Sequence, residues 1–433
     1  MANREMKDSG IEWIGEIPEN WEVRPIYLIF DEVIRKNYDL ETINALKFNF
    51  GTIVKKNNFD VSDDYVLNTI KNYTVVDNGN IMINGLNLNY DFVTKRVGMV
   101  TEKGAITSAY LAIKLHKDSN CSCKYMTYLL KSYDDCRAFH GMGEGVRKIL
   151  SFSELKKKLI ILPLLSEQKA IADYLDTKCA EIDSLKADIT EQIEVLKQYK
   201  QSVITEAVTK GLDPDVPMKD SGIEWIGEIP ESWEVSRVKY VTKQIGSGTT
   251  PTASNMKYYD GDYNWIQSGD IYDKDIISTT EKTVSYSALL EVSSLRVFKS
   301  DFIVIAMYGA SVGNVAISKI DACTNQACCV LKTDDFYSLK YLYYVLKSSY
   351  KVMIGKAIGG TQPNISQILI KNLNVLLPPL EEQKAIADYL DAKCAEIDQI
   401  IESKGQQLEA LEEYKKSMIY EYVTGKKEVP QEV

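Results

Sequence analysis

The sequence predicts a mixed α/β (α+β) fold: two globular domains separated by two long helices that form an antiparallel coiled coil, with pseudo-two-fold symmetry. Three observations carry this prediction. The stretch "MKDSGIEWIGEIPENWEV" from Met6 returns as "MKDSGIEWIGEIPESWEV" from Met218 with one letter changed. At nearly the same offset, "LPLLSEQKAIADYLDTKCAEID" from Leu162 returns as "LPPLEEQKAIADYLDAKCAEID" from Leu377. Between these repeats lie two inserts of similar size that do not align with each other. The chain therefore reads frame, insert, helix, frame, insert, helix. A period of about 215 residues is too long for a solenoid and implies two equivalent halves.

The first domain, residues 1–160, opens with the repeat segment 6–23 and continues into the first insert. Its short β-branched and aromatic runs, as in "NGNIMINGLNLNYDFVTKRVGMVTEKGAITSAYLAIKL", are broken by Gly, Asn and Asp, which marks strands joined by turns. Residues 161–212 follow as a long helix. Pro163 marks its boundary and "SEQ" gives it an acidic first turn, as a helix start prefers. Leu175, Ile182, Ile189, Leu196 and Val203 recur every seven residues, a coiled-coil seam flanked by Ile171, Cys179, Leu185 and Ile193. No Pro or Gly interrupts the run to Lys210, so the rod reaches roughly 65 Å and must find a partner.

Residues 213–375 repeat the plan, with the leader at 218–235 and a second insert containing "DFIVIAMYGASVGNVAISKI". Each insert ends in a tyrosine-rich helical patch, "KYMTYLLKSYDDCRAF" or "LKYLYYVLKSSYKVMI". Residues 376–433 give the second long helix, with Leu390, Ile397, Leu411 and Met418 in the seam. Lys404 interrupts that seam, which weakens the contact but helps fix register. Two rods of similar length on one chain favour an intramolecular antiparallel pair over a homodimeric zipper.

Composition narrows the function. At 433 residues, two or three domains are expected. No apolar run is long enough to span a membrane and the opening "MANREMKDSG" lacks the apolar core of a signal peptide, so a cytoplasmic protein with no membrane contact is expected. The eight cysteines lack the paired C-x-x-C spacing of a zinc site and are read as reduced structural thiols. With only His116 and His140, histidine-based metal or triad chemistry is poorly supplied. The formal net charge is -10, yet its distribution is uneven. Residues 24–148 carry about +3 and 236–371 about +4, leaving about -17 for the repeated frame.

Catalytic motifs are missing. The only Pro-Pro, in "LPPL", lacks the flanks with which an amino-group DNA methyltransferase grips its target nitrogen. "GMGEGVRK" has the glycines of a phosphate loop without a G-K-[ST] ending. "GGTQPNIS" reads as a turn, and the many helix carboxylates as a solvated face. No catalytic residue and no metal ligand is assigned.

The doubled "SGIEWIGEIPE-x-WEV" leader and the doubled "LP-x-L-x-EQKAIADYLD" helix start resemble the specificity (S) subunit of type I restriction-modification systems. So do the insert ends "GEGVRKILSFSELKKKLIILPL" and "GGTQPNISQILIKNLNVLLPPL", and the resemblance runs over almost the whole chain. It implies that each insert is a target recognition domain reading one half of a split, asymmetric double-stranded DNA site, with the coiled coil setting the unread spacer. It also implies docking of two methyltransferase (M) subunits, which bring S-adenosylmethionine and adenine-N6 chemistry. Restriction (R) subunits using ATP and Mg2+ join for cleavage. No cofactor belongs to this chain itself, and the chain is not an enzyme. Two other readings stay open at this point, a non-enzymatic coiled-coil protein-binding scaffold and a self-contained DNA modification enzyme.

On that resemblance, DNA contacts are expected from Lys95 and Arg96 in a loop-like stretch, and from Arg147 and Lys148 after the glycine-rich turn. In the second insert they are expected from Thr249, Thr250, Lys257 and Tyr258, then Lys356, Thr361, Gln362 and Asn364, since Gln and Asn can grip adenine edges in two places. The 27 tyrosines are read mainly as core or coil-flank positions, such as Tyr341, Tyr343 and Tyr344.

Overall fold

The computed structural model describes residues 4–57, 59, 62–142, 148–357 and 363–430. It divides into two compact units, Met1–Thr190 with Gly405–Val433, and Glu191–Lys404. Each unit thus combines one insert with part of both long helices.

In the first unit the leader forms a hairpin, Met6–Asp8 antiparallel to Glu16–Pro18. Asp8 Oδ1 accepts the Gly10 N–H at 2.9 Å to shape its turn. The next strand, Glu22–Pro25, pairs with Leu159–Leu162, the last strand before the long helix. The two ends of the insert are thereby stitched together, and everything between them projects as one globule. The second unit repeats this in every detail: Met218–Asp220 pairs with Glu228–Pro230, and Glu234–Arg237 with Asn374–Leu377.

The inserts themselves differ. The first carries two four-stranded sheets, one ordered Thr52–Lys55, Ala45–Asn49, Gly104–Ile106, Thr74–Val76, the other Phe30–Glu32, Leu111–Leu115, Ile81–Ile83, Val97–Met99. The second carries a five-stranded sheet, Thr242–Ser247, Cys328–Thr333, Phe302–Ala306, Val315–Ser318, Ile276–Ile277, and a three-stranded one, Lys282–Val284, Tyr259–Ile266, Ala322–Thr324. Short apolar runs such as "IMI" at 81–83 and "FIVIA" at 302–306 are buried along their whole length, so both faces of those strands are covered.

The long helices run Leu165–Lys210 and Leu380–Val423. In the first unit Tyr174 meets Tyr422 at 3.2 Å, Asp183 meets Lys415 at 2.6 Å, and Lys186 meets Glu412 at 2.6 Å, which makes the pairing antiparallel. In the second, Lys200 meets Asp398 at 2.6 Å and Lys404 meets Gln192 at 2.5 Å in the same sense. Of the seam residues, Leu175, Ile182, Ile189, Leu390, Ile397 and Met418 are buried, whereas Leu196, Val203 and Leu411 are half-buried. Burying a leucine or isoleucine fully stabilises by about 1.5–3 kcal/mol, so the contact is strongest where a globule adds its own apolar surface. Ile171, Leu175, Cys179 and Ile182 share a core with the first globule, and Ile386, Leu390 and Cys394 with the second. Leu185, expected beside the seam, is 47% exposed and points to water. Lys404 does not leave the seam empty, because its ammonium reaches across to the Gln192 amide.

Both helices stop on a glycine in the left-handed region, Gly211 at φ +78° and Gly425 at φ +73°. This conformation terminates a helix without the strain a side chain would bring. A Cβ at Gly425 would lie 3.1 Å from the Trp21 ring, and one at Gly211 3.3 Å from the Trp233 ring.

Candidate functional site

The same set of contacts seats each unlike globule on its helices. Trp21 and Trp233 are buried, and each donates its indole N–H to the glutamate of the E-Q helix start, Glu167 at 3.0 Å and Glu382 at 3.1 Å. The neighbouring glutamine accepts at Oε1 the backbone N–H of a helix-capping serine: Gln168 from Ser122 and Gln383 from Ser338, both at 2.8 Å. Those serines cap Cys123–Asp135 and Leu339–Ser348, the tyrosine-rich helices of the two inserts. From each helix a tyrosine hydroxyl donates to the last turn of the opposite rod, Tyr125 to the Val423 carbonyl (2.9 Å) and Tyr341 to that of Val208 (3.1 Å). One turn later, Tyr128 donates to Asp176 at 2.8 Å and Tyr344 to Asp391 at 2.7 Å. Lys124 and Lys340 pair with the same two aspartates. Burial, reinforced by the facing carboxylate, pushes both phenols far above their ordinary range, so they remain donors.

The donors and acceptors spell a motif, S-x-K-Y-x-x-Y, at Ser122–Tyr128 and Ser338–Tyr344. In the sequence these tyrosines read as core or coil-flank positions, and the structure adds that their spacing is shared. The signal was present in four aligned letters inside inserts that otherwise do not align.

Among the residues expected at a DNA face, the structure makes one correction. Arg96 is wholly buried. Its guanidinium donates to the carbonyls of Asn84, Leu86 and Asp91 at 2.5–2.9 Å, so it is an internal strut for the loop 84–91 and not the exposed cation expected of it. Its own backbone N–H is held at 2.6 Å by Asp134, whose carboxyl burial pushes up to about 6 against the pull of that bond. Arg96→Met is expected to lower the stability of the first unit by about 3 kcal/mol, since three carbonyls lose a charged donor. Thermal unfolding checks this, and the salt dependence of DNA binding should not change.

Lys95 is half-buried and pairs with Asp135 at 2.6 Å, with Glu412 3.7 Å away. Lys148 has a left-handed backbone (φ +35°), and its carbonyl accepts from the Leu88 N–H. In the second unit, Lys257 and Tyr258 both engage Glu291 at 2.8 Å, which lowers that carboxyl's affinity for a proton through the two hydrogen bonds. Lys356 and Asn364 are exposed, and Thr249 is half-buried. Asn364 bridges by its backbone to Tyr308, and Thr250 donates to Gln326 at 2.5 Å. Arg147, Thr361 and Gln362 lie outside the described residues. Among the described residues no group of His, Cys, Asp or Glu is placed to hold a metal ion, and no helix is long and apolar enough to cross a membrane. His116 pairs with Asp31 at 3.2 Å, and His140 stacks on Phe92.

A duplicated frame, two different globules and an antiparallel helix pair define the class, and comparison with known proteins agrees. Residues 18–195 and 230–412 match the type I restriction modification DNA specificity domain, and the chain belongs to that family. The MjaVIII specificity subunit of a type I restriction enzyme from Methanocaldococcus jannaschii is 31% identical over 75% of each chain. A second relative from that organism, named for MjaX, is 28% identical over 95% of each. Among solved structures, a chain from a study of complex assembly in the type I R-M system superposes with a TM-score of 0.71 at 14% identity, covering 94% of this chain and 99% of that one. The HsdS subunit from Thermoanaerobacter tengcongensis gives 0.51 at 16% identity over 94% and 98%. These structures share the fold.

Proposed function

We propose that this chain is the DNA sequence-specificity subunit of a type I restriction-modification complex, itself non-catalytic, reading a bipartite, asymmetric site. One observation carries the reading: two globules of different sheet topology sit on duplicated helices through the same contacts. Identical seats with unlike occupants suit a protein that presents two different readouts to one ligand while offering two equivalent places to identical partners.

Those partners are two methyltransferase subunits, which supply S-adenosylmethionine and the adenine-N6 chemistry. Restriction subunits supply ATP- and Mg2+-dependent translocation and cleavage. The chain acts in the cytoplasm on double-stranded DNA. The acid of the frame is suited to protein rather than to phosphate. The inserts carry only a small positive excess, and Lys95, Lys257, Lys299 and Lys319 are already engaged by carboxylates. Tight DNA binding therefore requires the methyltransferase subunits.

Methylation mapping of DNA from a host making this chain with its methyltransferase partner is the test. The expected result is one split motif with methylated adenines in both halves. Methyl transfer by the purified chain alone would instead establish a self-contained enzyme. Absence of salt-sensitive, sequence-selective DNA retention with the partner present would leave a protein-binding scaffold. Replacing the first insert between Arg24 and Ile160 by that of another subunit is expected to change one half-site and leave the other.

A further inference from the structure

The five-stranded sheet of the second unit has two unlike ends. From one, the turn Asp334–Tyr337 leads into the seating helix, with the Asp334 N–H on the Val241 carbonyl at 3.0 Å. At the other, Ser247 lies opposite Cys329 and Ala306 opposite Cys328. The loops that leave this far end converge on Gln326.

Gln326 is exposed, yet it is fixed. Its neighbours are pinned on both sides: the Asn325 N–H donates to the Ile266 carbonyl at 3.0 Å, and the Ala327 carbonyl accepts the Met307 N–H at 2.7 Å. The Asn325 side chain accepts the Ala327 N–H at 3.0 Å and tightens the turn. The side chain of Gln326 is oriented by a threonine. Thr250 donates to its Oε1 at 2.5 Å. Thr250 is within reach only because Gly248 lies flat on the adjacent strand, where a Cβ would come within 1.8 Å of the Thr324 carbonyl oxygen. Beside this edge the exposed Arg296 stacks over Phe298, 5.0 Å from the ring, with its guanidinium against Gly246.

We propose that Gln326 reads an adenine in the half-site recognised by the second unit, that Thr250 is its positioning residue, and that Arg296 anchors the flanking phosphate. This rests on the reading of the chain as a specificity subunit. The chemistry follows from the amide: with Thr250 occupying one lone pair of Oε1, a second lone pair and an N–H remain side by side. That pair matches the N6 donor and N7 acceptor of adenine in the major groove and no other base edge there. An amide held by another side chain does not have to be ordered when DNA arrives, so its discrimination is realised rather than spent on its own immobilisation. None of the backbone bonds that shape the turn involves the Gln326 side chain, and Gln326→Leu is expected to fold.

The test is methylome sequencing of a host carrying the chain with its methyltransferase partner. Gln326→Leu should lower preference for A·T at one position of one half-site on the order of 10- to 100-fold, leaving the other half-site and the spacer unchanged. Thr250→Val should weaken preference at that same position by a smaller factor, which loss of fold would not do, and this holds as a test even if the leucine variant is poorly produced. Arg296→Gln should reduce methylation at all sites alike and flatten the salt dependence of binding by about one ion. A split motif in the wild type that is unchanged in Gln326→Leu, or degraded equally at every position, overturns the assignment of Gln326. A wild type that yields no split motif overturns instead the function on which it rests.

Discussion

Trp233→Ala is expected to destabilise the second unit by about 3–5 kcal/mol, and Trp21→Ala the first unit by a matching amount. Both rings are fully enclosed, both close the end of a long helix against a left-handed glycine, and both donate to the glutamate at the start of the other helix. Alanine leaves a cavity the size of an indole and removes a hydrogen-bond donor from a half-buried carboxylate. Trp→Phe separates these two losses, because it restores most of the volume without the N–H, and a cost near 1–2 kcal/mol is expected for it. Hydrogen exchange resolved by segment is the appropriate measurement. Protection should fall around the altered tryptophan and its own globule, while the other unit keeps its protection. Equal loss in both units would mean that they do not unfold as separate bodies.

The second large effect concerns the rods. Along the pair, every step forward on one helix is matched by a step back on the other, from Tyr174 with Tyr422 through Asp183 with Lys415 in the first unit. Within the second unit, Gln192 pairs with Lys404 and Lys200 with Asp398 in the same antiparallel sense. A heptad added to the first helix alone slips every one of these pairs on one side of the insertion and should cost stability. Seven residues added to both, after Thr190 and after Lys404, preserve the seam and lengthen each helix by about 10 Å. If the rods set the unread spacer, methylation mapping should then return the same two half-sites with a spacer longer by about two to three base pairs. An unchanged spacer in the matched variant rejects the rods as the ruler.

What the letters revealed and what they hid divides along physical lines. The frame was legible because its information is periodic and repeated. A strict interval of seven fixes which side of a helix is buried, and Leu175, Ile182, Leu390 and Ile397 lie inside as their spacing requires. Leu185, read as a flank of that seam, is exposed, because how far a stripe is covered is a matter of tertiary packing that one-dimensional spacing does not carry. The candidate readers were harder for a different reason. Charge and loop composition select residues able to meet phosphate, but not those already committed to the fold. Arg96 looks like an exposed cation beside Lys95 and serves instead as a buried clamp on three carbonyls. Lys257 and Tyr258 look available and are engaged by Glu291, more than thirty residues away in sequence. Thr250 could be picked out as a hydroxyl next to a proline, but its partner Gln326 arrives from a distant turn.

The repeated seat also bears on heredity. Because Ser122, Lys124, Tyr125 and Tyr128 make the same bonds as Ser338, Lys340, Tyr341 and Tyr344, a gene segment encoding another globule with those few residues is expected to fit between the segments that encode the leader and the helix start. Exchange of one globule at the repeats is then expected to change recognition without disturbing the seat. A new address would thus arrive by inheritance of one globule, with the helices that carry it left as they were.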